Sequence, residues 1–324
     1  MINLENTLNE YKIPFTQNQP MAQKTTFKIG STADYFIAPE NMEQFQQALA
    51  LAKLSSLPFY ILGGGSNTVF PDTPYKGIII STENLKAISV KTFDSKTVYV
   101  TCQAGTPMAT FVNFCLENHF SGIEQFAGLP GSVGGAVYMN ARCFYKSINE
   151  IFYSAEYVAP DTPDSKITTM EYKESDWSYK KSPFQPAQGS GAAHLPHKYV
   201  LSATFCLTSL PEEEAESIKK MEEDCKHYIS ERRDKGHFKY PSAGSVFKNN
   251  HDFGKPSGQL IDEAGLRGKT IGGAQIAPFH GNFIINVKKA TSKDVEKLVK
   301  VAEKTVKEKF GFDLEPEIIF LKEK

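Results

Sequence analysis

The 324-residue sequence predicts an α+β fold of two or three lobes. Three observations carry that expectation. Strand-like and helix-like runs alternate along the chain, without the even rhythm of a single doubly wound sheet. Two glycine-rich segments punctuate the first half, and a charge-rich amphipathic stretch opens the last third. The composition is ordinary for a globular protein, with 40% hydrophobic and 23% charged residues.

Charge and cysteine usage narrow the class. Lys plus Arg total 36 and Asp plus Glu total 37, a net charge of -1. That balance, at this apolar content, excludes an intrinsically disordered chain and offers no global attraction for nucleic acid. The five cysteines, Cys102, Cys115, Cys143, Cys206 and Cys225, are odd in number and form no CxxC pair. A disulfide framework and a zinc knuckle are therefore not expected, nor is any other metal site. The N-terminus lacks a secretory pattern, and no run approaches the ~20 apolar residues of a membrane helix. A soluble, cytoplasmic protein is expected, with no membrane, nucleic-acid or obligate protein partner.

The elements follow in order. Asn41 opens a helix with Phe45, Leu49 and Leu51 apolar. Leu57–Leu62 is an apolar run stopped by three glycines, hence a buried strand. Gly77–Ile80 and Thr97–Cys102 read as further strands. Pro107 opens a helix through His119, with proline in the tolerated first turn. Ser154–Ala159 and Tyr199–Leu207 read as strands, and Gln185–His197 between them as a loop insertion. Within 211–235, Ile218, Met221, Cys225, Tyr228 and Ile229 recur at helical spacing, their charged neighbours forming a solvated face. Thr291 with Asp294 makes a capping box for a helix striped by Val295, Leu298, Val299, Ala302 and Val306 and ended by Gly311.

The first glycine segment is Gly63, Gly64, Gly65, Ser66 and Asn67. Thr68 occupies the third glycine position of a dinucleotide fingerprint, and no Gly-Lys-Ser/Thr follows, so neither familiar phosphate loop is present. A tight strand-to-strand turn and an anion nest of backbone N–H groups both remain open. The second segment, Gly128–Ala136, has four glycines in eight residues between apparent strands. Gly128, Pro130, Gly131, Ser132, Val133, Gly134 and Ala136 present little side chain, so a flat or phosphorylated ligand can approach the backbone closely. Two such loops suggest two walls of one nucleotide cleft.

Chemistry gathers near the C-terminus. Ser245 stands in a small-residue turn just before an apolar strand, with Lys248 and Asn249 beyond. It is no GxSxG elbow, because Phe247 replaces the second glycine. A serine without an adjacent base is a weak nucleophile but serves as a proton donor where a neighbouring charge favours it. His280 heads one apolar strand and Glu317 begins another. Tyr179 and Lys180, with Lys181, add cations beside an aromatic ring. Each is ordinary alone; their order along the chain makes the pattern.

That order resembles the UDP-N-acetylenolpyruvoylglucosamine reductase family through nearly the whole chain. Thr25–Gly30 with Ala33–Tyr35 is similar to the family's opening block. Gly63–Asn67 is similar to its Gly-Ser-Asn block, and Gly122–Glu124 with Leu129–Ala136 and Met139–Asn140 to its Gly-Gly-Ala segment. Matching blocks follow at Pro241–Asn249, Leu260–Gly268 and His280–Asn286. The resemblance implies a vanillyl-alcohol-oxidase-type FAD-binding fold of two lobes, 1–84 and 85–209, plus a C-terminal substrate-binding domain, 210–324. The long helix before Ser245 is similar to that of the type lacking a substrate-capping tyrosine loop.

The resemblance also implies an activity. FAD, held non-covalently because neither glycine loop contains a histidine, passes electrons from NADPH to the enolpyruvyl ether of UDP-N-acetylglucosamine, giving UDP-N-acetylmuramate for peptidoglycan. Ser245 then matches the proton donor to C2, and Lys180 with Glu317 the groups that stabilise or polarise the enol carboxylate. Tyr179 and Asn249 match substrate contacts, and Lys248 and His280 candidates for the diphosphate. Three departures stand out. Lys180 replaces the usual Arg, a role open also to Lys181; Arg142 replaces a Gly; and Ile319 stands where Arg is frequent. Another flavin oxidoreductase of that superfamily, or a non-catalytic sugar-nucleotide binder, are the alternatives.

Overall fold

The helix Met42–Leu54 begins where expected, because the Asn41 side chain accepts a hydrogen bond from Gln44 N at 2.9 Å. This is a computed structural model, and it describes residues 3–159, 166–186 and 198–322. The expected insertion Gln185–His197 lies outside the described residues from position 187 onward. The chain divides into two units. One comprises the N-terminal stretch to Thr16, Tyr35–Gly64 and Ile78–Ser230; the other comprises Gln17–Asp34, Gly65–Gly77 and the chain from Glu231 onward.

The first unit holds two apolar cores. Helix Met42–Leu54 buries Phe45, Ala48, Leu49 and Ala52 in one of them, with Leu8, Ile78, Ile80 and Leu201. Strand Phe59–Leu62 pairs in parallel with Tyr75–Ser81, from Phe59 opposite Ile78 to Leu62 opposite Ser81. The second core lies on an antiparallel sheet, with strands in the order Ile167–Glu171, Phe152–Val158, Tyr199–Ser209, Thr97–Gln103 and Ile88–Thr92. Alternation decides its faces: Val98, Val100 and Cys102 are buried while their neighbours are not. Helix Met108–Glu117 adds Met108, Phe111, Val112 and Cys115. It is shorter than expected, because Pro107 is its cap and His119 turns to φ +55°.

One sequence expectation fails here. Gly128–Ala136 is not a loop between strands. Helix Val133–Tyr138 begins inside it, and the three-residue turn Glu124–Phe126 precedes it. The helix ends in a Schellman turn at Asn140, whose φ is +41°. Asn140 N donates to Val137 O at 3.1 Å, and Ala141 N to Ala136 O at 2.8 Å. Glycines at 134 and 135 hid the helix from a propensity reading.

In the second unit an antiparallel sheet runs Ser242–Ser245, Phe283–Asn286, Ala274–Ile276, Thr270–Ile271. Helix Ser292–Phe310 packs Val295, Leu298, Val299, Ala302 and Val306 into the core with Phe27, Ile29 and Val69. Its capping box is formed by Thr291 and Asp294, and Gly311 closes it in the left-handed region. Three strand placements need correction. Ser245 ends a strand rather than preceding one, Glu317 lies two residues before the strand Ile319–Phe320, and His280 stands in the turn before Phe283.

The charge-rich stretch is helical over Ala215–Asp234, with Met221, Cys225 and Tyr228 buried. None of the five cysteines forms a disulfide. Among the described residues no helix is long and apolar enough to cross a membrane, and no cluster of His, Cys, Asp and Glu could hold a metal.

Candidate active site

In the first unit the two glycine segments meet. Gly64 N donates to Ser132 Oγ at 3.2 Å. A Cβ on Gly64 would sit 2.6 Å from Gly131 Cα, and one on Gly63 would sit 2.7 Å from Ser132 Oγ. These two glycines are therefore required by the approach of one loop to the other. Several N–H groups expected to cradle a ligand are also used within the protein. Val133 N donates to Thr106 O at 2.9 Å, Gly134 N to Ala104 O at 2.8 Å and Ala136 N to Ser132 O at 2.9 Å. Gly128 and Pro130 lie on the stretch leading to Gly131, whose carbonyl accepts from Met108 N at 3.0 Å.

The surroundings fit a flavin nucleotide on two counts. Where the loops meet, at Gly63, Gly64, Gly131 and Ser132, they present almost no side-chain bulk. The hydroxyls of Thr106 and Thr82 are buried in this unit and find no hydrogen-bond partner among the described residues.

Also in this unit, Ser178–Lys181 forms a tight turn with Tyr179 and Lys180 at its tip. Lys181 N donates to Ser178 O at 3.0 Å and Ser178 N to Lys181 O at 3.3 Å. Lys180 is half-buried with φ +57°, whereas Lys181 is exposed. Arg142 sits on a two-residue strand and donates to Ser147 Oγ at 3.1 Å.

The second unit holds the other candidates: Gly65, Ser66, Asn67, Ser245, Lys248, Asn249, His280 and Glu317. Ser245 pairs with Phe283 across a break in register from the Ser242–Ile285 pair. The bulge is made by Gly244, at φ +74°. Beyond it, Glu317 N donates to Val246 O at 2.7 Å and Lys248 N to Glu315 O at 2.9 Å. Ser245 and Glu317 are thus brought to neighbouring positions on two paired segments. Asn67 joins them, donating from Nδ2 to Glu317 O at 3.0 Å and accepting Ile319 N at its carbonyl at 2.9 Å. Ile319 itself pairs with Thr68.

The diphosphate candidates are less suited to that task. Lys248 Nζ is held by Glu315 at 2.5 Å. His280 is held below its ordinary pKa by burial and then by the Arg267 charge, so near neutral pH it is no cation. Its Nδ1 accepts from Asn282 N at 3.2 Å. Asn249 Oδ1 accepts from Ser257 N at 2.9 Å, at the start of helix Ser257–Glu263.

One residue with no role assigned from sequence proves central. Asn282 is buried; its Oδ1 accepts from Phe247 N and its Nδ2 donates to Phe247 O, both at 2.8 Å. Its own carbonyl accepts Val246 N at 2.9 Å. It pins the two residues after Ser245. The only local signal was an asparagine following a glycine.

Comparison with known proteins identifies the family. Residues 236–321 match the family model described as UDP-N-acetylenolpyruvoylglucosamine reductase, C-terminal domain, and residues 33–162 match that of an FAD binding domain. A UDP-N-acetylenolpyruvoylglucosamine reductase from Treponema denticola is 42% identical, covering 98% of this chain and 94% of its own. The protein of that name from Treponema pallidum is 38% identical over 94% and 92%. The crystal structure of the Thermus caldophilus UDP-N-acetylenolpyruvylglucosamine reductase superposes with a TM-score of 0.71 at 28% identity, covering 96% of this chain and 99% of the other.

Proposed function

The chain belongs to the UDP-N-acetylenolpyruvoylglucosamine reductase family, and from that membership we propose that it reduces the enolpyruvyl ether of UDP-N-acetylglucosamine to UDP-N-acetylmuramate. NADPH is the reductant, the product serves peptidoglycan synthesis, and the reaction takes place in the cytoplasm. The proposed division of labour is two FAD lobes, 1–84 and 85–209, and a substrate domain, 210–324, with Gln17–Asp34 and Gly65–Gly77 packing in the C-terminal unit and Ile78–Ser230 in the first. The family type is the one without a capping tyrosine loop.

Bound FAD would supply the redox chemistry, hydride transfer from NADPH and onward to C3 of the enol ether, and the meeting glycine segments around Gly63, Gly64, Gly131 and Ser132 would hold it. The protein's part is the second hydrogen and the charge. As C3 gains hydride, C2 develops negative charge spread into the carboxylate, and preorganised groups stabilise it. Ser245 Oγ donates the proton to C2. Lys180 and Glu317 stabilise and polarise the enol carboxylate, while Tyr179 and Asn249 contact the substrate. Lys180 supplies a point charge rather than a bidentate fork, so the carboxylate is held by attraction more than by geometry. The observation that carries this reading is the backbone pairing of Glu317 with Val246, which sets Ser245 and Glu317 on adjacent segments beside the Gly244 bulge.

The experiment separates the two half-reactions in the flavin-loaded enzyme. Ser245→Ala is expected to leave flavin reduction by NADPH intact and to abolish oxidation by the enolpyruvyl substrate. Equal loss of both halves would make Ser245 structural. Rapid NADPH turnover with oxygen, indifferent to the enolpyruvyl substrate, would favour an oxidase of the superfamily. Purified protein that is colourless and takes up no FAD would sink both.

A further inference from the structure

A lysine in place of a guanidinium poses a problem of aim. Its ammonium ends a four-carbon stem, and it lacks the planar fork that fixes an arginine against a carboxylate. Direction must then come from the backbone that carries it. Lys180 has an unusual backbone: φ is +57°, a left-handed region that a non-glycine residue keeps only where the surroundings over-determine it.

The surroundings do so through three polar side chains. Asn140, 2% exposed, donates from Nδ2 to Ser178 O at 2.9 Å, at the base of the turn. Its Oδ1 accepts from Asn149 N at 3.1 Å, so the carboxamide is held at both ends. Gln185 Nε2 donates to Lys180 O at 3.1 Å and to Tyr138 O at 2.7 Å. Ser182 Oγ donates to the same Tyr138 carbonyl at 2.7 Å. That carbonyl belongs to the last turn of helix Val133–Tyr138, where intrahelical donors run out. The exposed Lys181 contributes only its backbone to the turn.

We propose that Asn140 and Gln185 are positioning residues for Lys180, fastening the Tyr179–Lys180 turn to the end of the helix that grows from the second glycine segment. Each group works on the turn from a different side, Asn140 at Ser178 and Gln185 at Lys180 itself. The inference rests on the reading of Lys180 given above. It assigns a task to Gln185, which opens the otherwise unexplained 185–197 segment, and to Asn140, which doubles as the left-handed helix terminator.

The test is a double-mutant cycle in the flavin-loaded enzyme, with each half-reaction followed by stopped flow and thermal unfolding measured alongside. Gln185→Met keeps length and removes the donor. Asn140→Asp keeps the left-handed tolerance and the acceptor while removing the donor to Ser178 O. Each is expected to lower kcat/KM of the substrate half-reaction roughly ten- to hundredfold and to leave the NADPH half-reaction unchanged. In a Lys180→Ala background the same changes are expected to have no further effect. Multiplying effects in that background, or equal losses in both half-reactions, would overturn the inference while leaving Lys180's role standing. Wild-type rates for Gln185→Met beside a crippled Lys180→Ala would do the same, even if Asn140→Asp fails to fold. A Lys180→Ala variant with a normal substrate half-reaction would overturn the reading and the inference together.

Discussion

Gly244 and Gly64 are glycines for different reasons, and the difference decides what a substitution would cost. A Cβ on Gly244 meets nothing within 4 Å, but its φ of +74° is left-handed. Gly244→Ala is therefore expected to destabilise by about 1–2 kcal/mol, read from denaturant unfolding, through conformation alone. Gly64 is a matter of space, since its Cβ would collide with the Gly131 backbone. Asn282 shows a third kind of constraint. Asn282→Ala would leave the buried Phe247 N–H and C=O without their partner, at about 1–3 kcal/mol for each group stranded. The proton delivery proposed for Ser245 is expected to suffer with it, measured as a slower substrate half-reaction. The sequence made Ser245 and Glu317 visible because their residue types stand in a specific order. It left Asn282 unseen, because a carboxamide that binds distant backbone bears no local mark.

At the scale of elements, legibility followed periodicity. The helix Ser292–Phe310 was readable to its ends: apolar stripe, Thr291 and Asp294 box, and Gly311 all agree. Thr291→Ala should cost about 1 kcal/mol of stability in thermal or denaturant unfolding, and Thr291→Ser should restore most of it. The helix Val133–Tyr138 was illegible for the opposite reason. Its glycines contradict helix propensity, and it persists because neighbouring backbone accepts its first N–H groups. The Ser242–Ser245 strand was similarly masked, since small residues gave no alternation to read.

For the molecule as a whole, the half-buried histidine His237 sets a pH dependence. Burial first, then the charges of His280, Arg232 and Lys235, press its pKa from 6.5 down to about 4. Its ring stacks on Phe283 at 4.6 Å, and His280, itself lowered, lies 5.6 Å away. Between these two pKa values the unfolded chain binds a proton that the folded chain refuses, so stability rises with pH there. The unfolding midpoint is expected to be flat above about pH 6.5 and to fall as pH drops toward about 4. His237→Phe, which keeps the ring stack, should flatten that slope in calorimetric scans. The sequence by itself determined the α+β class, most elements and the ordered motifs that mark the family, because periodicity, capping and residue order are local properties. Only the tertiary structure decided that Gln17–Asp34 and Gly65–Gly77 fold with the C-terminal third, that the two glycine segments touch, and that Asn140, Gln185 and Asn282 hydrogen-bond to the backbone of the candidate segments. Those are pairings between residues far apart in the chain, selected by close packing and by the need of buried polar groups for partners.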